Sequence, residues 1–409
     1  MAALQNTRTC GEAIVALLEK YGVETVFGIP GVHTLELYRG LVGSKIRHVL
    51  PRHEQGAGFM ADGYARATGK PGVCFLITGP GVTNAATPIG QAYSDSVPML
   101  VISSVNETTK LGKGLGELHE MPDQLKLTSA ITAFSARADH PEDFPHLLAK
   151  AFDIFNSSRP RPVHIEVPID IFAKPVSDEW APTASAKPKL ANADLVAKAA
   201  AKLVSAQFPL IIAGGGSFGG EAALKSLAEK LSAPVVETVA GAGMLPASHA
   251  LSVGPKLVSS AAHDLIADAD VVLAVGTELS STETWGNAYK FNGSLMRVDI
   301  DPAQFTNSFI ADIAIEGDAP SVLASLDRLV KETDLPQRDK ERSAMVAQVH
   351  NAFDASLGAE ENLRRNVFET VIDAAPEDSL IVADMTQIGY TGHSVFRSET
   401  SGRFFNPTG

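Results

Sequence analysis

A repeated unit constrains this chain more than anything else: a short apolar run, a glycine- or proline-bearing turn, then a helix-like stretch. Thr25–Ile29 runs into Pro30-Gly31, and Val73–Thr78 into Gly79-Pro80-Gly81. Leu210–Ala213 runs into Gly214-Gly215-Gly216-Ser217, and Val271–Val275 into Gly276. Strands that alternate with helices at such short intervals specify an α/β fold of tandem doubly wound parallel sheets. Further strands are expected at Ile46–Leu50, Met99–Ser103, Pro162–Pro168, Val235–Glu237 and Leu295–Ile300. Helical spacing of Ile14, Leu17 and Leu18 with Gly22 as a stop predicts a helix over Thr9–Tyr21.

Composition breaks divide the chain. Residues 1–175 read as one α/β domain and 194–335 as a second, Rossmann-like one. The stretch 176–193 between them lies in a Pro-, Ala-, Ser- and Lys-rich linker. Charged residues from Glu332 to Arg342 begin a helical tether, with a second linker over 336–357. Residues 358–409 open a third unit: a helix over Arg364–Ala375, a strand at Ser379–Ala383 and a loop over Asp384–Thr391. One helix and one strand cannot bury a core, so this portion is expected to be a fragment of a larger domain or to dock on the others.

With Lys plus Arg at 34 against Asp plus Glu at 47, the net charge is −13 and no basic stripe stands out. Nucleic acid and anionic membrane are therefore poor partners. The apolar runs are of strand length, too short to span a bilayer, and the N-terminus has no signal-type apolar core. Two cysteines, Cys10 and Cys74, make neither a disulfide framework nor a metal site, which fits a reducing, cytoplasmic setting.

Chemistry concentrates first in Ile46–Arg66. There Glu54 precedes a helix rich in small residues: Gly56, Ala57, Gly58, Ala61, Gly63 and Ala65. Two readings stand. Glu54 stabilises a helix N-terminus, or it is a carboxyl in apolar, closely packed surroundings that shares a proton with a weak base. The Gly214–Gly220 loop is likewise open between a helix entry and a diphosphate cradle.

The segment from Arg52 to Ser104 resembles the first domain of thiamine-diphosphate enzymes of the acetolactate synthase and 2-oxo-acid decarboxylase family. Gly28-Ile29-Pro30-Gly31 is similar to that family's loop beside the cofactor's pyrimidine, and Thr78–Asn84 (TGPGVTN) to its second loop. The resemblance implies a pyrimidine-binding first domain with Glu54 as the activating acid. It places Pro30, Gly31, Thr78, Pro80 and Asn84 in the pyrimidine pocket. Where acetolactate synthases carry Phe-Gln-Glu, this chain reads Leu118-His119-Glu120, making His119 a candidate proton donor or carboxylate holder in the substrate site. Glu120 and Asp123 add negative charge suited to a cationic substrate tail. The Leu-His-Glu-x-Pro-Asp-Gln run is similar to the branch that decarboxylates 5-guanidino-2-oxopentanoate.

By the same resemblance, residues 358–409 are the N-terminal part of the diphosphate-binding domain, with Thr386, Gln387 and Ile388 as cofactor contacts. Asn406–Gly409 is similar to the stretch before the Gly-Asp-Gly…Asn motif that holds Mg²⁺ on the phosphates. No metal ligands are assigned here, and a chain ending at Gly409 is expected to bind cofactor weakly and not to turn over, whereas a longer chain is expected to be active. FAD in the middle domain is disfavoured, because Gly276-Thr277-Glu278-Leu279 stands where acetolactate synthase has its arginines. The expected activity is decarboxylation of a 2-oxo acid, with carboligation possible as in acetolactate synthase. Two alternatives remain: a simple 5-guanidino-2-oxopentanoate-type decarboxylase, or a non-catalytic nucleotide-binding or assembly protein. A homodimer or homotetramer with its active site at the subunit interface is implied.

Overall fold

The computed structural model describes residues 8–283, 290–331 and 338–407. They form two compact units, one reaching Lys187 and the other starting at Pro188.

The first unit opens on helix α1 (Cys10–Lys20). Thr9 and Glu12 close a reciprocal capping box there, the Thr9 hydroxyl accepting from Glu12 N and Glu12 Oε2 accepting from Thr9 N. Ile14, Leu17 and Leu18 bury their side chains on the sheet, each contributing roughly 1.5–3 kcal/mol. The strands are β1 (Thr25–Gly28), β2 (Arg47–Val49), β3 (Gly72–Leu76), β4 (Met99–Val105), β5 (Phe134–Arg137) and β6 (Val163–Pro168). They pair in the order β2-β1-β3-β4-β6-β5, every pair parallel.

Helix α2 (Glu54–Thr68) carries the small residues noted above. The sheet and the next helix use them. A Cβ on Gly72 of β3 would stand 2.1 Å from Ala61 O, and one on Gly58 would stand 2.3 Å from Pro88 Cγ of α3 (Ala86–Ser94). The helix therefore seats backbone-close on β3.

The second unit has strands β7 (Pro209–Ala213), β8 (Val235–Glu237), β9 (Ser252–Gly254), β10 (Val271–Val275), β11 (Ser294–Asp299) and β12 (Ile313–Glu316). Their order is β9-β8-β7-β10-β11-β12, again all parallel. That is the Rossmann order. Buried Arg297 of β11 donates to the carbonyls of Thr277, Glu278 and Phe309, among others, and so staples the loop after β10.

Beyond this sheet the same unit holds α4 (Asp339–Ser356), α5 (Ala359–Ala374) and α6 (Gln387–Val395), with a two-residue parallel pairing of Ile381–Val382 with Phe404–Phe405. Part of the expected tether, residues 332–337, lies outside the described residues, as do Thr408 and Gly409. The loop expected over Asp384–Thr391 is instead the start of α6. The Thr386 hydroxyl caps it by accepting from Gly389 N at 3.0 Å. Gly392 lets it settle on α5, since a Cβ there would stand 2.6 Å from Phe368 Cε2. Among the described residues no helix is long and apolar enough to cross a membrane.

Candidate active site

In an open parallel sheet a ligand binds outside the carboxyl ends of the strands, where the strand order reverses. In the first unit that place lies between β1 and β3. The chain leaving β1 is Ile29-Pro30-Gly31, and that leaving β3 is Ile77-Thr78-Gly79-Pro80. After β2, next to β1, comes the Pro-Arg-His turn and then Glu54. Three segments far apart in sequence thus converge on one crevice.

Glu54 stands at the first position of α2, behind His53, whose ring caps the helix by accepting from Gln55 N at 3.1 Å. It is half-buried rather than enclosed. Asn84, at the end of the short helix Pro80–Asn84, donates Nδ2 to Glu54 Oε2 at 2.9 Å. Oε1 has no hydrogen-bond partner among the described residues.

The β1 turn is fixed by close packing. A Cβ on Gly31 would meet Ile77 Cδ1 at 2.4 Å, and one on Gly28 would meet Phe75 O at 2.2 Å. Only glycine fits at Gly28, where the clash is with backbone; at Gly31 the Ile77 side chain would have to move. His48 Nε2 donates to Gly28 O at 2.8 Å and ties β2 to that strand end. Pro30 and Pro80 are exposed at the tips of their turns.

Thr78 is buried. Its backbone N donates to Ser104 Oγ at 2.9 Å, and its hydroxyl lies 2.9 Å from His33 Nδ1. His33, absent from the sequence-based set, is buried, and burial followed by the nearby His119 pushes its pKa down. A single His in a turn carries no periodicity, so nothing in the sequence marked it. The His119 ring meets that of His33 edge-on, with centroids 5.7 Å apart. His119 is half-buried and holds φ at +61°, in the left-handed region. Its carbonyl occupies the space a Cβ on Gly79 would need, 2.3 Å away, and Gly79 itself has φ +66°. The structure thus brings His119 onto the β3 turn.

A buried polar network stands behind that turn. Gln124 Oε1 accepts from Gly79 N at 2.8 Å, while its Nε2 lies 3.1 Å from Ser103 Oγ, 3.0 Å from Ser104 O and 3.1 Å from Glu166 Oε2. Burial pushes Glu166 up to about 7, against the opposing pull of Gln124 and of Arg137 at 3.6 Å. Next to it His164 is fully enclosed between Ser103 Oγ and Ser135 Oγ, its pKa pushed down to about 3 by burial. None of these residues was singled out from the sequence.

The two acids expected to favour a cationic substrate have local partners. The Glu120 carboxylate accepts from the backbone N–H groups of Gly114, Leu115, Gly116 and Glu117. Burial raises its pKa, but those four donors outweigh it and hold it below the usual range. Asp123 caps the helix Gln124–Ser129 by accepting from Lys126 N.

The residues at the switch point suit an aminopyrimidine. One Glu54 carboxylate oxygen has no hydrogen-bond partner among the described residues, and Gly28, at the end of β1, leaves no room for a side chain. For a divalent metal the described residues do not fit: no group of three or more His, Cys, Asp or Glu side chains among them could hold one. Thr386, Gln387 and Ile388 belong to the second unit, exposed at the N-terminus of α6.

Fold and crevice together define an α/β protein of two parallel-sheet units with a carboxylate, Glu54, at the switch point of the first sheet. Residues 8–127 match the family described as thiamine pyrophosphate enzyme, N-terminal TPP binding domain, and residues 196–326 match its central domain. A protein of Pseudomonas aeruginosa named as a probable 2-ketoarginine decarboxylase is 49% identical over 410 residues, covering 99% of this chain and 72% of that one. An acetolactate synthase of Mycobacterium bovis is 32% identical, covering 100% of this chain and 68% of its own length. The acetolactate synthase isozyme 1 large subunit of Escherichia coli is 31% identical over 93% of this chain. The chain belongs to the thiamine-diphosphate-dependent enzymes of the acetolactate synthase and 2-oxo-acid decarboxylase family, whose cofactor is thiamine diphosphate with Mg²⁺.

The switch point of the second sheet, between β7 and β10, is differently made. Its glycines pack backbone on backbone. Gly216 N donates to Gly276 O at 3.0 Å, and a Cβ on Gly214 would stand 2.3 Å from that same oxygen. Ser217 Oγ donates to Val275 O at 2.9 Å. Burial also pushes Glu283, nearby, up to about 7. The Gly-Gly-Gly-Ser run thus closes two strand ends on each other, a use that does not call for a diphosphate.

Proposed function

We propose that this enzyme decarboxylates 5-guanidino-2-oxopentanoate (2-ketoarginine), with Glu54 as the acid that activates thiamine diphosphate. The observation that carries the Glu54 assignment is its place at the switch point of the first sheet, with Asn84 holding one carboxylate oxygen and the other left for a ligand. Bound there, the cofactor supplies the carbon nucleophile and the electron sink for loss of carbon dioxide. Glu54 holds a proton at the pyrimidine nitrogen, and Asn84 fixes the direction in which its carboxyl points. Gly28 and Gly31 keep the β1 turn close to the ring's edge. Pro30, Thr78 and Pro80 shape the same pocket, and Thr386, Gln387 and Ile388 contribute at the diphosphate end. His119, held on the β3 turn with His33 behind it, is the proton donor nearest the substrate.

The likeness to the 2-ketoarginine decarboxylase over nearly the full chain supports the choice of substrate. Incubation with 2-ketoarginine tests it: carbon dioxide and 4-guanidinobutanal are expected. Acetolactate formed from pyruvate at a faster rate would instead favour carboligation, the reading the acetolactate synthases support. Glu54→Gln is expected to lower turnover by about 10²–10⁴-fold with an unchanged thermal melt. Full activity in that variant removes the assignment.

We further infer a cytoplasmic homodimer or homotetramer with the site at a subunit interface. Half-exposed Glu54 and the exposed Val32, Leu35, Leu50, Phe59 and Met60, on the segments that follow β1 and β2, support a second copy covering the crevice. Met60→Glu is expected to shift the protein toward monomer in light scattering and to lower activity with it. Residues 358–409 are read as the opening of a third domain. The apolar stripe Leu363, Val367 and Val371, exposed along α5 at a spacing of four, supports that reading.

A further inference from the structure

Away from the crevice, within the second unit, a small cavity is lined by Glu237, Ser252, Lys256, His350 and Arg397 among others. It leaves about 10 Å³, room for one water-sized occupant. Its lining is unbalanced in donors and acceptors. Lys256 is 5% exposed, and the hydrogen-bond acceptor recorded for its Nζ is Val253 O at 3.3 Å, with the Phe353 ring 5.3 Å away. Among the described residues no carboxylate pairs with it, and none pairs with Arg397. The Ser252 hydroxyl, in a residue 2% exposed, has no hydrogen-bond partner among the described residues. Both oxygens of Glu237 are engaged by the backbone N–H groups of Gly243 and Leu245. His350 Nε2 donates to Ser252 O at 2.9 Å. What remains unsatisfied around this space is therefore a buried ammonium and a buried hydroxyl, and Arg397, an exposed residue, adds a second positive charge to the lining.

A buried ammonium without a counter-charge is costly. Burial, then Arg397, pushes Lys256 down to about 8, with Arg365 adding to this and Asp354 and Glu237 opposing it. A ligand that only accepts hydrogen bonds and carries negative charge would satisfy both buried groups at once, with the Arg397 charge in the same lining. We propose that the cavity between Lys256, Ser252 and Arg397 is a small-anion site, taking a halide or one oxygen of a compact carboxylate. The site is independent of the reading of Glu54.

Crystals of the full chain grown in sodium bromide, and separately in sodium acetate, test it. An anomalous bromide peak within hydrogen-bonding distance of Lys256 Nζ and Ser252 Oγ is expected, as is an acetate oxygen at the same place in the second condition. Bromide without acetate would restrict the site to halides, and acetate alone would restrict it to carboxylates; both keep the proposal. Lys256→Met is expected to abolish the peak. If that variant does not fold, Ser252→Ala is expected to lower bromide occupancy at matched concentration. A water in both salts, or a bromide peak unchanged by loss of either donor, overturns the proposal.

Discussion

Glu166 is 1% exposed, with Gln124 on one carboxyl oxygen and Arg137 at 3.6 Å from the other. Its folded pKa, about 7, lies above the ordinary value of 4.5, so the folded protein holds this proton more tightly than the unfolded chain does. The stability it lends is fully present below pH 4.5 and is lost as the pH rises through about 7. Glu166→Gln keeps the shape and removes the titration. Its melting temperature relative to the parent is therefore expected to climb between pH 5 and 8, and a pH-independent difference would contradict the assignment. The same network reaches the site through Gln124 and Gly79 N. Gln124→Ala would leave that N–H and the Glu166 carboxyl without their partner, at a cost of about 1–3 kcal/mol. Calorimetric melts would measure it.

At the level of elements, the turns decide the geometry and the helices follow. Gly79 holds φ +66° against the His119 carbonyl. An alanine there adds left-handed strain of roughly 1–2 kcal/mol to a clash with backbone that cannot swing away. Gly79→Ala is expected to lower the melting temperature and displace His119, raising KM for the 2-oxo acid more than a change at an exposed glycine such as Gly63 would. Equal kinetics for the two variants would argue against the β3 turn as a positioning element. Sequence reading found the strands with few errors because buried parallel strands are unbroken apolar runs ended by glycine, as at Val271–Val275 and Gly276. It missed α6 because Gly389 and Gly392 look like loop residues. They are helical because Thr386 caps the first turn and Phe368 leaves no space for a larger side chain. It missed β5, β9 and β12, each a strand of three or four residues at a sheet edge, too short to stand out as an apolar run.

At the level of the whole molecule, Glu54, Thr78 and Asn84 are named through the resemblance of their motifs to one family, and the structure brings Glu54 and Asn84 into contact. The roles of His33, Gln124 and Glu166 could not be named in this way, because they arise only when β1, β3, β4 and β6 lie side by side, and no local spacing encodes that neighbourhood. The same logic separates the two units. Each has its own apolar clusters, one around Ile14, Phe75 and Ile165, another around Ile211, Val235 and Leu273. Residues 181–190 between them are exposed throughout, and irregular. With little buried there, opening that stretch for a protease costs far less than opening a sheet. Brief trypsin treatment is thus expected to cut first after Lys189, since Pro188 protects the bond after Lys187, giving two fragments that keep their secondary structure. Early cleavage within either six-stranded sheet, seen by mass spectrometry before the cut after Lys189, would show that the units do not hold their cores separately.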